Sequence, residues 1–397
     1  MQRFYVRTRQ HFSAAIKGIW FGILVTASQL TLSQTAEPSA PRFDLLTTPA
    51  AVAPRASKSQ LTAVGRAGKR IIAVGGRGVV VYSDDGGKAW SQASVPTMVS
   101  LTGIYFPTAE KGWVVGHDGV VLNSSDGGKS WTKQIDGNDI NMQVVSLAKS
   151  ELQKAQVAYD NNKSSRITQA ALDRALDFMG VAESGAKYGP SRPLLDVWFK
   201  NESEGWVVGA FGVILQTLDG GRKWRLYSAK LPNEQSLHLY SITATASGTL
   251  LVAAEQGYVF RSEDGGENWT RSPSLSKGGL FGIVTASHLG REIAIAFGLN
   301  GNVFRSDDAG KAWTQVALNS TASFWGGRVL SEGLILLVGN DSTIARSSDG
   351  GLTFAVSSGL RGVAFNAIVS NGIGDTIAVG PRGITALSGS AVEKGHN

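Results

Sequence analysis

An eight-residue pattern that returns six times, mostly 41–45 residues apart, predicts an all-β chain: a seven-bladed β-propeller carrying a helical hairpin between blades two and three. Two further observations support that fold class. A seventh, partial unit follows the last copy, and short apolar runs separated by Gly-rich turns fill the intervals. The pattern is Ser/Thr-x-Asp-x-Gly-x-x-Trp, an Asp box of the BNR type. It occurs at 83–90, 124–131, 217–224, 262–269 and 306–313, with Phe354 in place of Trp at 347–354. Its aspartates are Asp85, Asp126, Asp219, Asp264, Asp308 and Asp349, separated by 41, 93, 45, 44 and 41 residues.

Taken in chain order, the first 36 residues read as a secretory signal. Arg3, Arg7, Arg9 and Lys17 precede the apolar run GIWFGILVTA, with candidate cleavage sites after Ala27 and Ala36. Removing those four cations takes the formal charge from +7 to +3, too little to imply a nucleic-acid partner. The chain has no cysteine. A secreted protein of this kind has no disulfide staples, so core burial and ring closure must stabilise it. The same absence excludes thiol catalysis and thiolate metal sites.

The propeller is expected over 43–390. Blade two shows the grammar of each unit: strand a at 101–106, strand b at 112–115, a b–c turn, strand c at 120–123, the box, then strand d from Trp131. Gly116 and Gly119 bracket the b–c turn, where positive φ is expected. Each box is read as a c–d hairpin whose Asp accepts turn amides. Its aromatic residue (Trp90, Trp131, Trp224, Trp269, Trp313) opens strand d and packs on the turn or the next blade. Six repeated boxes are structural; six identical active sites are not credible.

The interval of 93 marks an insertion over 137–190. Val144, Leu147, Ala148, Leu152, Ala155 and Tyr159 lie at helical spacing in 142–160. A second helix is expected over 165–179, capped by Ser165 and ending before Gly180. In a propeller, b–c turns and d–a connections share one face, and Asp boxes occupy the other. The hairpin, a d–a insertion, is therefore expected on the b–c face. The partial blade seven has strands at 365–369, 376–379 and 384–387 but no fourth. The stretch 43–53 is expected to supply it and close the ring.

GWVVG, a G-x-x-G turn and S-x-DGG-x-x-W in tandem resemble the photosystem II stability and assembly factors of cyanobacteria and chloroplasts. The resemblance covers about 61–387 apart from the hairpin. It implies a non-enzymatic scaffold, periplasmic or lumenal, that binds a membrane-protein complex or its assembly intermediate. The chain is expected to be a monomer, with peripheral membrane association and no cofactor. The alternatives are an accessory scaffold for another membrane complex in a non-phototroph, or an Asp-box glycoside hydrolase of the sialidase kind. Its Arg-Ile-Pro signature is missing, and the nearest string is Ser191-Arg192-Pro193. The five histidines have no metal-ligand spacing.

Candidate partner-binding residues fall into two groups. On the b–c face stand Arg77 and Arg382, expected at the same turn position in blades one and seven, together with Arg361, His117 and Phe211. On the Asp-box face, Arg261, Arg305 and Arg346 each precede a box Ser in consecutive blades. Guanidinium groups suit acidic segments or lipid phosphates.

Overall fold

A computed structural model describes residues 44–388, other than 332 and 360; the signal segment expected over 1–36 lies outside them. The described chain is mostly β, with seven antiparallel meander sheets at 61–92, 101–135, 194–226, 239–271, 280–315, 324–357 and 367–387, and two helices between the second and third. Six sheets have four strands and the last has three. Each innermost strand neighbours the next, and the seventh (Ala367–Ser370) neighbours the first (Leu61–Ala67). The sheets are called blades one to seven below.

Inner strands are tied across blades by side chains reaching backbone carbonyls. Thr102 Oγ1 donates to Leu194 O at 2.7 Å, and Thr285 Oγ1 to Ala244 O at 2.8 Å. At the seam, Asn366 Nδ2 donates to Leu61 O at 2.9 Å. Between blades, apolar residues of the middle strands interdigitate. Ile72 and Val74 of blade one meet Val114 and Leu122 of blade two in one cluster, and Ile71 and Ala73 meet Val369 and Ile377 of blade seven in another. Strand b is buried at every position in blades two, three and four, because both of its faces pack on a neighbouring blade.

Closure differs from the expectation. Residues 44–53 add no strand to blade seven, which keeps three. They lie instead on blades one and two: Leu46 is buried with Val95 and Val99, and the Ala50 N–H donates to Val95 O at 3.0 Å. The short turn Ala56–Lys58 then lies against the third strands of blades one and seven. Pro49 and Pro54 interrupt this stretch, and a residue without an N–H makes a poor strand.

The helices are longer than their apolar periodicity indicated. α1 is Gly137–Asn161 and α2 is Arg166–Lys187. α1 begins five residues early because Asp136 and Asp139 form a reciprocal capping box. α2 runs through Gly180 because Ala182 beyond it is buried in the core of blades two and three. That burial outweighs the roughly 1 kcal/mol a mid-helix glycine costs. The b–c turn also differs in detail: Gly116 is extended, and positive φ falls on Asp118 (53°) and Gly119 (69°).

Candidate functional site

The b–c face is built where the inner strands begin. Leu239, Leu280 and Phe324 pair with Ala254, Gly298 and Gly339, the residues just before each b–c turn. The next residues, Tyr240, Phe281 and Trp325, are therefore set at the b–c mouth of the central channel. They touch in series: Tyr240 meets Phe281 edge-on at 5.2 Å, and Phe281 stacks on Trp325 at 4.6 Å. Trp325 Nε1 donates to Asn340 Oδ1 at 2.7 Å, fixing its ring. The series continues outward through His238 to Phe211, whose rings lie 5.1 Å apart.

Phe211 holds an unusual backbone. Its turn position has positive φ in six blades, occupied elsewhere by Arg77, Asp118, Gln256, Asn300 and Asp341. Asn and Asp tolerate that region; a bulky aromatic is an outlier there. Phe211 has φ 58° and is half exposed, and its N–H donates to His238 Nδ1 at 3.0 Å.

Inside the channel, Asp196 accepts from the Ile242 N–H and Ser241 Oγ on one oxygen and from the Val197 N–H on the other, each at 2.9 Å. The carboxyl lies on the channel wall, reached in part from the channel and packed by protein behind it. That confinement raises its pKa to about 6 against the three donors. Arg328 also faces the channel. It is wetted by the channel yet desolvated by its walls, which lowers its pKa. No described acid lies within ion-pair distance of it.

The hairpin stands on blades two and three from this same face. Gly137 of α1 meets Gly119 of the blade-two turn so closely that a side chain at Gly119 would strike its backbone. Ile140, Val144, Ala148, Met179 and Ala182 share a core with Trp113, Leu215 and Trp224. Gln143 bridges to the outer strand of blade three: its Nε2 donates to Trp224 O at 3.0 Å, and its Oε1 accepts from the Leu226 N–H at 2.9 Å. The helix thus covers a sheet edge that would otherwise stand open. Between the hairpin and the blade-three turn lies a cleft of about 820 Å³.

The sequence-singled residues divide by face. Arg77, Arg361, Arg382 and His117 are exposed on the b–c side. Arg382 does not match Arg77 in conformation. Blade seven turns through Pro381-Arg382 alone, with Gly380 paired to Gly383, and is one residue tighter than blade one. On the opposite face the guanidinium groups are engaged with the next blade. Arg261 Nε donates to Ala309 O at 2.7 Å and Arg305 Nε to Gly350 O at 2.9 Å, and each also meets an acid of its own turn, Glu263 or Asp307. Arg346 precedes blade seven, which has no box to receive it, and no described acid pairs with it.

The boxes form closed local networks. In blade two, Ser124 Oγ donates to Asp126 Oδ1 and accepts from the Gly128 N–H, while Asp126 Oδ1 also accepts from the Lys129 and Ser130 N–H groups. Trp131 sits just before the outer strand, its Nε1 donating to Gly128 O at 3.1 Å. Trp90, Trp269 and Trp313 repeat that bond, whereas Trp224 donates to Gln134 Oε1 of blade two. Asp126 and Asp264 are held at about 2 by these donors, which outweigh desolvation at Asp126. Tyr240, Phe281 and Trp325 escaped sequence reading because each lies in a different repeat, and Arg328, in the same strand as Trp325, belongs to no motif. The shared register of the three aromatics at the start of strand a was the available signal.

Fold and site together define an Asp-box β-propeller with an aromatic-rimmed channel whose wall carries Tyr105, Asp196 and Arg328. A family model described as photosynthesis system II assembly factor YCF48 matches residues 17–122, 88–155 and 188–372. The chain belongs to that family. It is 40% identical over 77 residues to the photosystem II assembly lipoprotein Ycf48 of Synechococcus sp. (strain CC9902), a match spanning 19% of this chain and only 23% of that relative. Two solved structures share the fold. One is YCF48 bound to D1 peptide (TM-score 0.56, 16% identity, 84% of this chain and 94% of that one). The other is YCF48 from Cyanidioschyzon merolae (TM-score 0.56, 15% identity, 85% and 98%). The family match breaks between 155 and 188, across the end of α1 and all of α2.

Proposed function

We propose that this chain is a non-enzymatic scaffold, exported across the inner membrane, that holds a membrane-protein complex or its assembly intermediate on the b–c face of a closed seven-bladed ring. The observation that carries this reading is the aromatic series Tyr240, Phe281 and Trp325 at the channel mouth, in a member of an assembly-factor family. Aromatic rings displayed at a rim supply rigid apolar area for a polypeptide at low entropic cost. The exposed Arg77, Arg361 and Arg382 on the same side would meet acidic segments or lipid phosphates around that contact. A relative in the family holds a D1 peptide, and a polypeptide is the partner class proposed here. Arg261 and Arg305 would serve mainly between blades, whereas Arg346 has no following box to engage.

The chain acts as a monomer in this reading and meets the membrane only peripherally. No described helix is long and apolar enough to cross a bilayer. The Synechococcus relative is named a lipoprotein. A thioether-linked lipid needs a cysteine, and these 397 residues contain none.

The glycoside-hydrolase reading would need a free acid in the channel. Asp196 has the raised pKa of one, but both of its oxygens are engaged by backbone and Ser241 donors. Pull-down from solubilised membranes tests the scaffold reading. The parent should retain a membrane-complex intermediate, and the double variant Phe281→Ala, Trp325→Ala should lose it while melting within a few degrees of the parent. Retention by the double variant, or glycoside turnover that Asp196→Asn abolishes, would overturn it.

A further inference from the structure

The hairpin cleft has features that packing within the chain leaves unexplained. Leu176 (52%), Val181 (64%), Tyr188 (82%) and Phe211 (52%) line it and are all more than half exposed. Four large apolar residues around one concavity form a patch of the kind that marks an interaction site. Phe211 adds a strained backbone, held by His238, that displays its ring at the cleft wall.

Gly180 lines the same wall. A Cβ there would meet nothing within 4 Å, so internal packing does not require a glycine in mid-helix. An empty position at that site keeps the groove open for something outside the chain.

Arg192 gives the cleft its polarity. It is the only cation of the lining, half-buried, held by its Nε–H to Asn141 Oδ1 at 3.1 Å and lying 6.0 Å from the Phe211 ring. No described acid pairs with it, and desolvation lowers its pKa. The two acids of the lining, Glu151 and Asp177, stand on the exposed flanks of the helices, Glu151 paired to Lys154. An anionic group is therefore favoured at the base of the hairpin, beside Arg192, and disfavoured farther up.

We propose that this cleft binds an extended segment of a partner protein that places a branched-apolar or aromatic side chain among Leu176, Val181 and Phe211 and an adjacent carboxylate on Arg192. The cavity volume suits one or two anchoring side chains. A charge-assisted pair with a desolvated guanidinium fixes the segment's direction. The aromatic series from Phe211 to Trp325 continues the track toward the channel mouth. The inference rests on the scaffold reading, and it assigns the hairpin, whose second helix the family match leaves out, as the element that selects a client.

The test uses the purified full chain against an immobilised library of short random peptides. Retained sequences should be enriched in an aromatic or branched-apolar residue beside Asp or Glu. For one such peptide, Arg192→Gln should weaken binding about tenfold and leave its Asn or Gln counterpart unchanged. Gly180→Ala should raise the melting temperature, by removing a helix-weakening glycine, and still weaken binding at least about fivefold by filling the groove. Equal binding of the acidic and amide peptides, or full binding by Gly180→Ala, overturns the proposal. So does a parent that enriches no such sequence while still retaining the membrane intermediate through Phe281 and Trp325; in that case the scaffold reading survives alone.

Discussion

Asp196 gives the sharpest physical test of the channel geometry. Its folded pKa of about 6 lies above the ordinary value of 3.8, so between those values the folded chain binds more protons than the unfolded one. Stability from this group is therefore fully present below pH 3.8 and is lost as pH rises through 6. The difference of about 2 pKa units corresponds to at most about 3 kcal/mol. At roughly 2.1 cal/mol/K of unfolding entropy per residue over about 350 residues, that is about 4 °C in melting temperature. Asp196→Asn removes the titration. The variant loses an acceptor for the Val197 or Ile242 N–H, so its curve is offset, but the offset does not change with pH. Melting curves from pH 4 to pH 7.5 should show the parent losing about 4 °C relative to the variant, most of it between pH 4.5 and 6.5. Parallel curves would mean that channel water solvates the carboxyl fully and that the confinement argument is wrong.

The box carboxylates have the opposite sign: all six are held below the ordinary aspartate value, so their contribution fades as pH falls through about 4 toward 2. Acid unfolding monitored by tryptophan fluorescence should be highly cooperative there, and a chain that stays folded at pH 2 would contradict it. Trp131→Ala removes a buried ring that meets Phe106 edge-on and bonds to Gly128; it should cost about 3–5 kcal/mol in denaturant melts. Ser124→Ala, which unpairs the Gly128 N–H, should cost about 1–3 kcal/mol, and neither should abolish partner binding in folded protein. Leu46→Asp should destabilise the chain by at least about 2 kcal/mol by burying a charge between blades one and two. An unchanged melting temperature would mean that 44–53 is not part of the folded unit.

The repeats made the blade grammar legible because each short apolar run and each box's turn chemistry are local. Boundaries from the sequence agree to within one or two residues in blade two. Ring closure was not legible in the same way. Residues 44–53 carry apolar side chains that suggest a strand, Pro49 counts against one, and their partners on blades one and two decide where they lie. The helical ends were misread for a related reason. Gly180 is a stop signal by propensity, but the buried Ala182 beyond it carries the helix on.

The proposed binding surface is spread over repeats, which hides it from motif reading and makes its physics readable only from register. Tyr240, Phe281 and Trp325 occupy one strand position in three consecutive blades, where each inner strand starts at the same face. A ring that repeats its backbone brings such positions side by side at the channel mouth, so a substitution to an aromatic in any one blade adds to a shared surface without disturbing the ladder. The boxes work the other way. Arg261 and Arg305 spend their donors on the next blade's turn carbonyls, so that face is consumed in joining blades. The hairpin enters on the face left unused by the joints, beside the aromatic series. Loop closure costs little there, because the insertion begins and ends at adjacent points on that face. Insertions that change the partner while preserving the ring are therefore expected on the b–c face and not among the Asp boxes.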